Sequence, residues 1–140
     1  MKRPLWPCAL LLAALLAGRA AAQAAAPPGI IGTWRGTSTC VNPGAFPACH
    51  DEVVVYEVRR HTAAADSVVV RADKVVDGAR EFMGELTFGR GADGTWCGVF
   101  QSRRGSGRWT LTVQGDRMTG ELRDVSTGLQ VRMVALGRVS

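Results

Sequence analysis

The chain has 140 residues, with 17 Lys+Arg against 12 Asp+Glu and a formal charge of +5. That length accommodates one domain and not two. Lys2, Arg3 and Arg19 all fall within the first 22 residues. Without them 14 Lys+Arg face 12 Asp+Glu, a net charge of +2, which removes the general electrostatic case for nucleic-acid binding.

The first element is not part of the fold. Lys2 and Arg3 precede an apolar run from Leu5 to Ala17, followed by small residues through Ala26. A basic start, a short apolar segment and an alanine-rich exit describe a secretory signal peptide, residues 1–22, with Ala20 and Ala22 as the small pair before the cleavage point. The run is shorter than the roughly 20 residues that span a bilayer, so no transmembrane segment is expected after cleavage. Cys8 precedes the apolar run instead of following it, which disfavours a lipid anchor. The expected location is secreted or periplasmic. Residues 23–29, with "AAAPPG" over 24–29, read as a short tether. Residues 30–139 read as one β domain.

From Ile30 onward no helical period is visible. Apolar residues alternate, β-branched residues are frequent and turn signals recur about every dozen residues, the pattern of an all-β sandwich or barrel. Eight strands are predicted, at 30–40, 52–60, 67–76, 80–89, 95–103, 107–114, 117–124 and 129–137. Asp77-Gly78 is a two-residue hairpin turn, because glycine accepts a positive φ. Gly91-Ala92-Asp93-Gly94, Gly105-Ser106-Gly107 and Gly115-Asp116 punctuate later strands in the same way. Short links between successive strands predict an antiparallel meander.

Alternation assigns faces. The inward sets are Val54, Tyr56 and Val58; Phe82, Gly84, Leu86 and Phe88; Trp96, Gly98 and Phe100; Trp109, Leu111 and Val113; and Met118, Gly120 and Leu122. Cys97, Val99 and Gln101 take the other face. An open eight-stranded meander leaves two edges exposed, and closure into a barrel removes them. The expected architecture is therefore a single eight-stranded antiparallel barrel, closed or nearly closed. Its interior is filled by side chains or holds one small ligand.

Gly32-Thr33-Trp34 on the first strand resembles the Gly-x-Trp of the lipocalin-like barrels, the calycin group that includes avidins and fatty-acid-binding proteins. The resemblance implies that Trp34 closes one barrel end and that an arginine of the last strand, Arg138 before Arg132, packs over it. No fatty-acid-binding Arg-x-Tyr pattern accompanies it. The chain as a whole looks like a small secreted bacterial protein. "GTWCG" at 94–98 echoes "GTWRG" at 32–36, yet the same offset of 62 sets Val54-Val55-Tyr56 on Asp116-Arg117-Met118, so no duplication is read.

Three cysteines follow the signal segment. Cys40 and Cys49 bracket "VNPGAFPA" between the first two strands and are expected to form a disulfide in an oxidising compartment. Cys97 is left over.

Candidate chemistry is sparse. His50, Asp51 and Glu52 are consecutive, and neighbours on an extended strand point to opposite faces, so they do not converge on one ion. A zinc site wants about four ligands, and the chain has two histidines. No metal and no cofactor are expected. A Ser38, His50 and Asp51 set can be drawn, but nothing in its spacing requires catalysis, so an enzyme is the less favoured reading. Arg103, Arg104 and Arg108 beside Trp109 form the one local basic patch and read as a solvated hairpin tip. Two function classes remain: a barrel binding a small, mainly apolar ligand, or a structural or interaction module with a filled core. For the first, the candidate ligand residues are Trp34, Ser38, Tyr56, Phe100 and Trp109, with Ser38 and Tyr56 as polar orienting groups. A cavity of roughly 300 Å³ or more discriminates in its favour.

Overall fold

The computed structural model describes residues 29–140; the expected signal peptide and all but the last residue of the tether lie outside that range. Eight strands follow in order: β1 Gly32–Cys40, β2 Glu52–Arg60, β3 Ser67–Val76, β4 Ala79–Arg90, β5 Trp96–Ser102, β6 Gly105–Gln114, β7 Arg117–Asp124 and β8 Gln130–Arg138. Each pairs antiparallel with its chain neighbour, and β8 returns to β1, so the sheet closes as a barrel. This is the up-and-down eight-stranded architecture that lipocalin-like barrels share.

Local chemistry explains the path. Asp77 and Gly78 both have positive φ, 51° and 79°, and connect β3 to β4 in two residues. That handedness matches the twist of the strands it joins. Closure depends on Gly36, where an added Cβ would collide with the Ala135 carbonyl oxygen of β8. The register across this seam sets Trp34 opposite Arg138 and Cys40 opposite Arg132.

One half of the barrel is solid. Trp34 is 0% exposed and packs with Leu111, Met118, Val134 and Leu136. Its indole Nε1 donates to the Ile30 carbonyl at 2.8 Å, and Ile30 is itself buried under the barrel floor. The Arg138 guanidinium lies over the Trp34 ring, 4.1 Å from its centroid, and donates to the carbonyls of Ile31 and Gly29. It also meets the Asp116 carboxylate at 3.1 Å. These contacts tie both chain ends of the described barrel to one another.

Inward alternation holds on β2, β5, β6 and β7. On β4 it fails at one point. Ala72 pairs with Gly84, but Asp73 pairs with Phe82, leaving Met83 as an extra residue. This bulge inverts the parity of the strand's first half. Gly84, Leu86 and Phe88 keep the inward face, whereas Phe82, expected inside, is 60% exposed on the outer surface. There it lies under the Arg71 guanidinium, 5.0 Å from its centroid.

The same inversion builds a polar cluster outside the barrel. Asp73 is 1% exposed. It accepts from Arg71 Nε at 3.2 Å and Arg80 Nε at 2.8 Å. Arg80 also reaches Glu57 at 2.8 Å. Desolvation pushes the Asp73 carboxyl up, and the hydrogen bonds and charges of Arg80 and Arg71 outweigh it, holding the group below the usual aspartate value.

Candidate ligand cavity

The other half of the barrel is not filled. A cavity of about 460 Å³ lies between the packed floor and the end where the β1–β2, β3–β4, β5–β6 and β7–β8 connections gather. Its apolar wall comes from Val70, Leu86, Phe88, Phe100, Trp109 and Leu122. Those residues are inward because of the period of two on their strands, and Gly107 lets Phe100 lie flat. An added Cβ there would press on the ring. Small residues leave the space: Ala72 and Gly84, paired across β3 and β4, both line it.

A polar cluster sits on the β1–β2–β8 side. Ser38, Glu52, Tyr56 and Arg132 all line the cavity. Arg132 Nη1 donates to Ser38 Oγ at 2.9 Å and lies 3.3 Å from the Glu52 carboxylate. Its Nη2 donates to the His50 carbonyl at 2.9 Å. Arg132 is thus held on three sides. Tyr56 is 5% exposed, and its hydroxyl has no hydrogen-bond partner among the described residues. No fully enclosed side-chain polar atom there lacks a partner, so that hydroxyl opens onto the cavity. Burial pushes the Tyr56 phenol well up; Arg132 pulls it down and Glu52 raises it. The phenol therefore keeps its proton.

The wall is split on one side. β4 and β5 pair only at Gly89–Cys97 and Arg90–Trp96. Toward the open end the two strands are not ladder-paired. Just beyond the paired positions Gly98 lies close to β4: a Cβ there would meet Leu86 Cδ2 at 2.9 Å and the Thr87 carbonyl at 3.0 Å.

Of the residues expected at a ligand site, Ser38, Tyr56, Phe100 and Trp109 line this cavity. Trp34 does not; it lies in the packed floor. Sequence reasoning missed Glu52 and Arg132. Both carry a usable signal, since Glu52 shares parity with Val54 and Tyr56, and Arg132 with Val134 and Leu136. Arg132, the alternative to Arg138 for packing over Trp34, sits beside Cys40 at the opposite end of β8.

The remaining candidates are dispersed. Cys40 and Cys49 form the expected disulfide, with Cα atoms 6.0 Å apart, and Cys97 is a free, half-buried thiol on the outer face. Its Sγ lies 3.7 Å from Thr110 Oγ1. The Asp51 carboxylate accepts from the Cys40 backbone N–H at 2.8 Å, and His61 Nδ1 accepts from Ala63 N at the far end of β2. Asp51 is therefore committed to the Cys40 backbone and Ser38 to Arg132. No group of three His, Cys, Asp or Glu side chains is placed to hold a metal among the described residues. Arg103, Arg104 and Arg108 are exposed on the β5–β6 hairpin. Among the described residues no helix is long and apolar enough to cross a membrane.

The barrel thus belongs, by topology, to the closed eight-stranded antiparallel meanders. No family model matches the chain. No curated protein matches it either. Among solved structures it is similar to one described as "The Siderocalin Ex-FABP functions through dual ligand specificities". The two share 14% identity with a TM-score of 0.49, over 79% of this chain and 73% of that one.

Proposed function

We propose that this is an exported barrel that binds one small, mainly apolar molecule in its open half. The observation that carries this reading is the cavity of about 460 Å³, walled by aliphatic and aromatic side chains with a few convergent polar groups on one side. That size and that mixture are those of ligand sites. Export is supported by the disulfide, which persists in oxidising compartments, and by the signal-like start of the chain. Binding is the favoured reading because the polar groups of the wall are committed to one another, Ser38 and Glu52 both to Arg132. The test is native mass spectrometry of the purified protein after incubation with a lipid and metabolite extract. A single adduct of small mass at one per chain is expected, displaced by an excess of the purified compound. Recovery of unliganded protein alone from every extract overturns the reading in favour of a structural or interaction module.

A further inference from the structure

We propose that the cavity selects a neutral ligand bearing a hydrogen-bond acceptor, such as a ketone, ester or lactone carbonyl on an apolar body, and rejects a carboxylate, with Tyr56 as the donor and the Glu52–Arg132 pair as the filter. This rests on the ligand-binding reading above. Three charged residues line the cavity, Glu52, Glu85 and Arg132, and each is already matched with an opposite charge. Arg132 meets Glu52, and Glu85 receives Arg59 Nη2 at 3.0 and 3.1 Å. Lys74, on the inward face of β3 beside Val54, reaches Glu81 at 3.4 Å. An entering carboxylate finds no unmatched cation, and it is brought next to Glu52. Two like charges about 4 Å apart repel by about 4 kcal/mol at an effective dielectric of 20; Arg132 offsets part of this, and about 1.4 kcal/mol left over is a tenfold loss of affinity.

Beside the Glu52 carboxylate, which faces Arg132 at 3.3 Å, the wall carries neutral donors with unspent hydrogen-bonding capacity. Tyr56 O–H has no partner and faces the cavity. Trp109, also in the wall, has an indole N–H without a partner among the described residues. Ser38 Oγ accepts from Arg132 and keeps its own hydrogen to give. A neutral acceptor satisfies these groups without disturbing any ion pair. The space equals about fifteen water molecules at liquid density, so a flexible molecule of about a dozen non-hydrogen atoms fits.

The experiment compares undecane, 2-undecanone and decanoate at neutral pH, by calorimetry and by quenching of tryptophan fluorescence, on wild type, Tyr56→Phe and Glu52→Gln. The ketone and the acid have equal numbers of non-hydrogen atoms and differ in charge. Wild type is expected to bind the ketone about tenfold or more tightly than decanoate. Tyr56→Phe removes one oxygen and no packing, and weakens the ketone about three- to tenfold while leaving undecane unchanged. Glu52→Gln frees Arg132 and strengthens decanoate by about tenfold or more. Decanoate binding wild type as tightly as the ketone overturns the proposal and leaves the cavity reading standing. So does a ketone affinity that Tyr56→Phe does not change. Failure of all three probes to bind overturns both.

Discussion

Replacing Trp34 with alanine tests how the barrel is closed. The side chain is fully buried among Leu111, Met118, Val134 and Leu136. A tryptophan buries about 150–250 Å², worth roughly 4–6 kcal/mol at 25 cal/mol per Å². Alanine keeps a little of that area, and measured truncations of this kind cost about 3–5 kcal/mol. The Ile30 carbonyl loses its indole donor, and the Arg138 guanidinium loses the ring beneath it, an interaction worth about 0.5–2 kcal/mol. These effects are coupled and do not simply add. Against a total of about 5–15 kcal/mol, the variant is expected to be marginal. Urea unfolding followed by far-ultraviolet circular dichroism reads it. A slope of about 1–3 kcal/mol per M turns the loss into a midpoint shift of about 1–5 M. Trp34→Phe keeps a ring under Arg138 and should fall between alanine and wild type. If Trp34→Ala melts within a degree or two of wild type, the tryptophan does not hold the barrel end and the reasoning fails.

Three further outcomes follow from the structure. Phe88→Ala, which empties a buried site, should cost about 3–5 kcal/mol, whereas Phe82→Ser on the outer surface should cost less than about 1 kcal/mol; equal costs in urea unfolding would place Phe82 inside and remove the bulge at Met83. Asp73 has a folded value lowered beneath 3.8, so its contribution is present above the unfolded value and is lost as pH falls through the folded one. Wild type and Asp73→Asn should therefore differ in melting temperature at neutral pH and converge in strong acid, and a difference that grows as pH falls would contradict this. Reduction of the Cys40–Cys49 bridge should lower stability by about 2–3 kcal/mol, the loop-closure value for about ten residues, and non-reducing peptide mapping should recover these two cysteines joined, with Cys97 free.

The meander was legible because its turns carry their own chemistry. Asp77-Gly78 announces a tight hairpin, and strands such as Trp109-Thr110-Leu111-Thr112-Val113 alternate without interruption. The bulge was not legible, since Phe82 and Met83 are both apolar and the break in parity leaves no mark in the pattern. It is visible only in the pairing of Asp73 with Phe82. Half of the polar side of the cavity was legible as well. Ser38 and Tyr56 stand out as polar residues on inward positions, whereas Glu52 reads as a solvated residue at the entry to a strand and Arg132 as a candidate for packing over Trp34. The two charges are tolerated on inward positions because they neutralise each other. The split between β4 and β5 depends on how far two strands stay paired, a property of barrel geometry that no local stretch of either strand encodes.

The proposed function stands or falls on whether the open half of the barrel takes up a ligand. The most direct measurement is a titration with N-phenyl-1-naphthylamine, a neutral apolar dye whose fluorescence rises out of water, on wild type and on Ala72→Phe. Ala72 lines the cavity opposite Gly84, and a phenyl group there fills the space while adding apolar contacts. Wild type is expected to bind saturably at one dye per chain. Ala72→Phe is expected to bind at least about tenfold more weakly, at unchanged or higher melting temperature. Saturable binding of equal affinity by both proteins, or none by wild type, would contradict the proposed function.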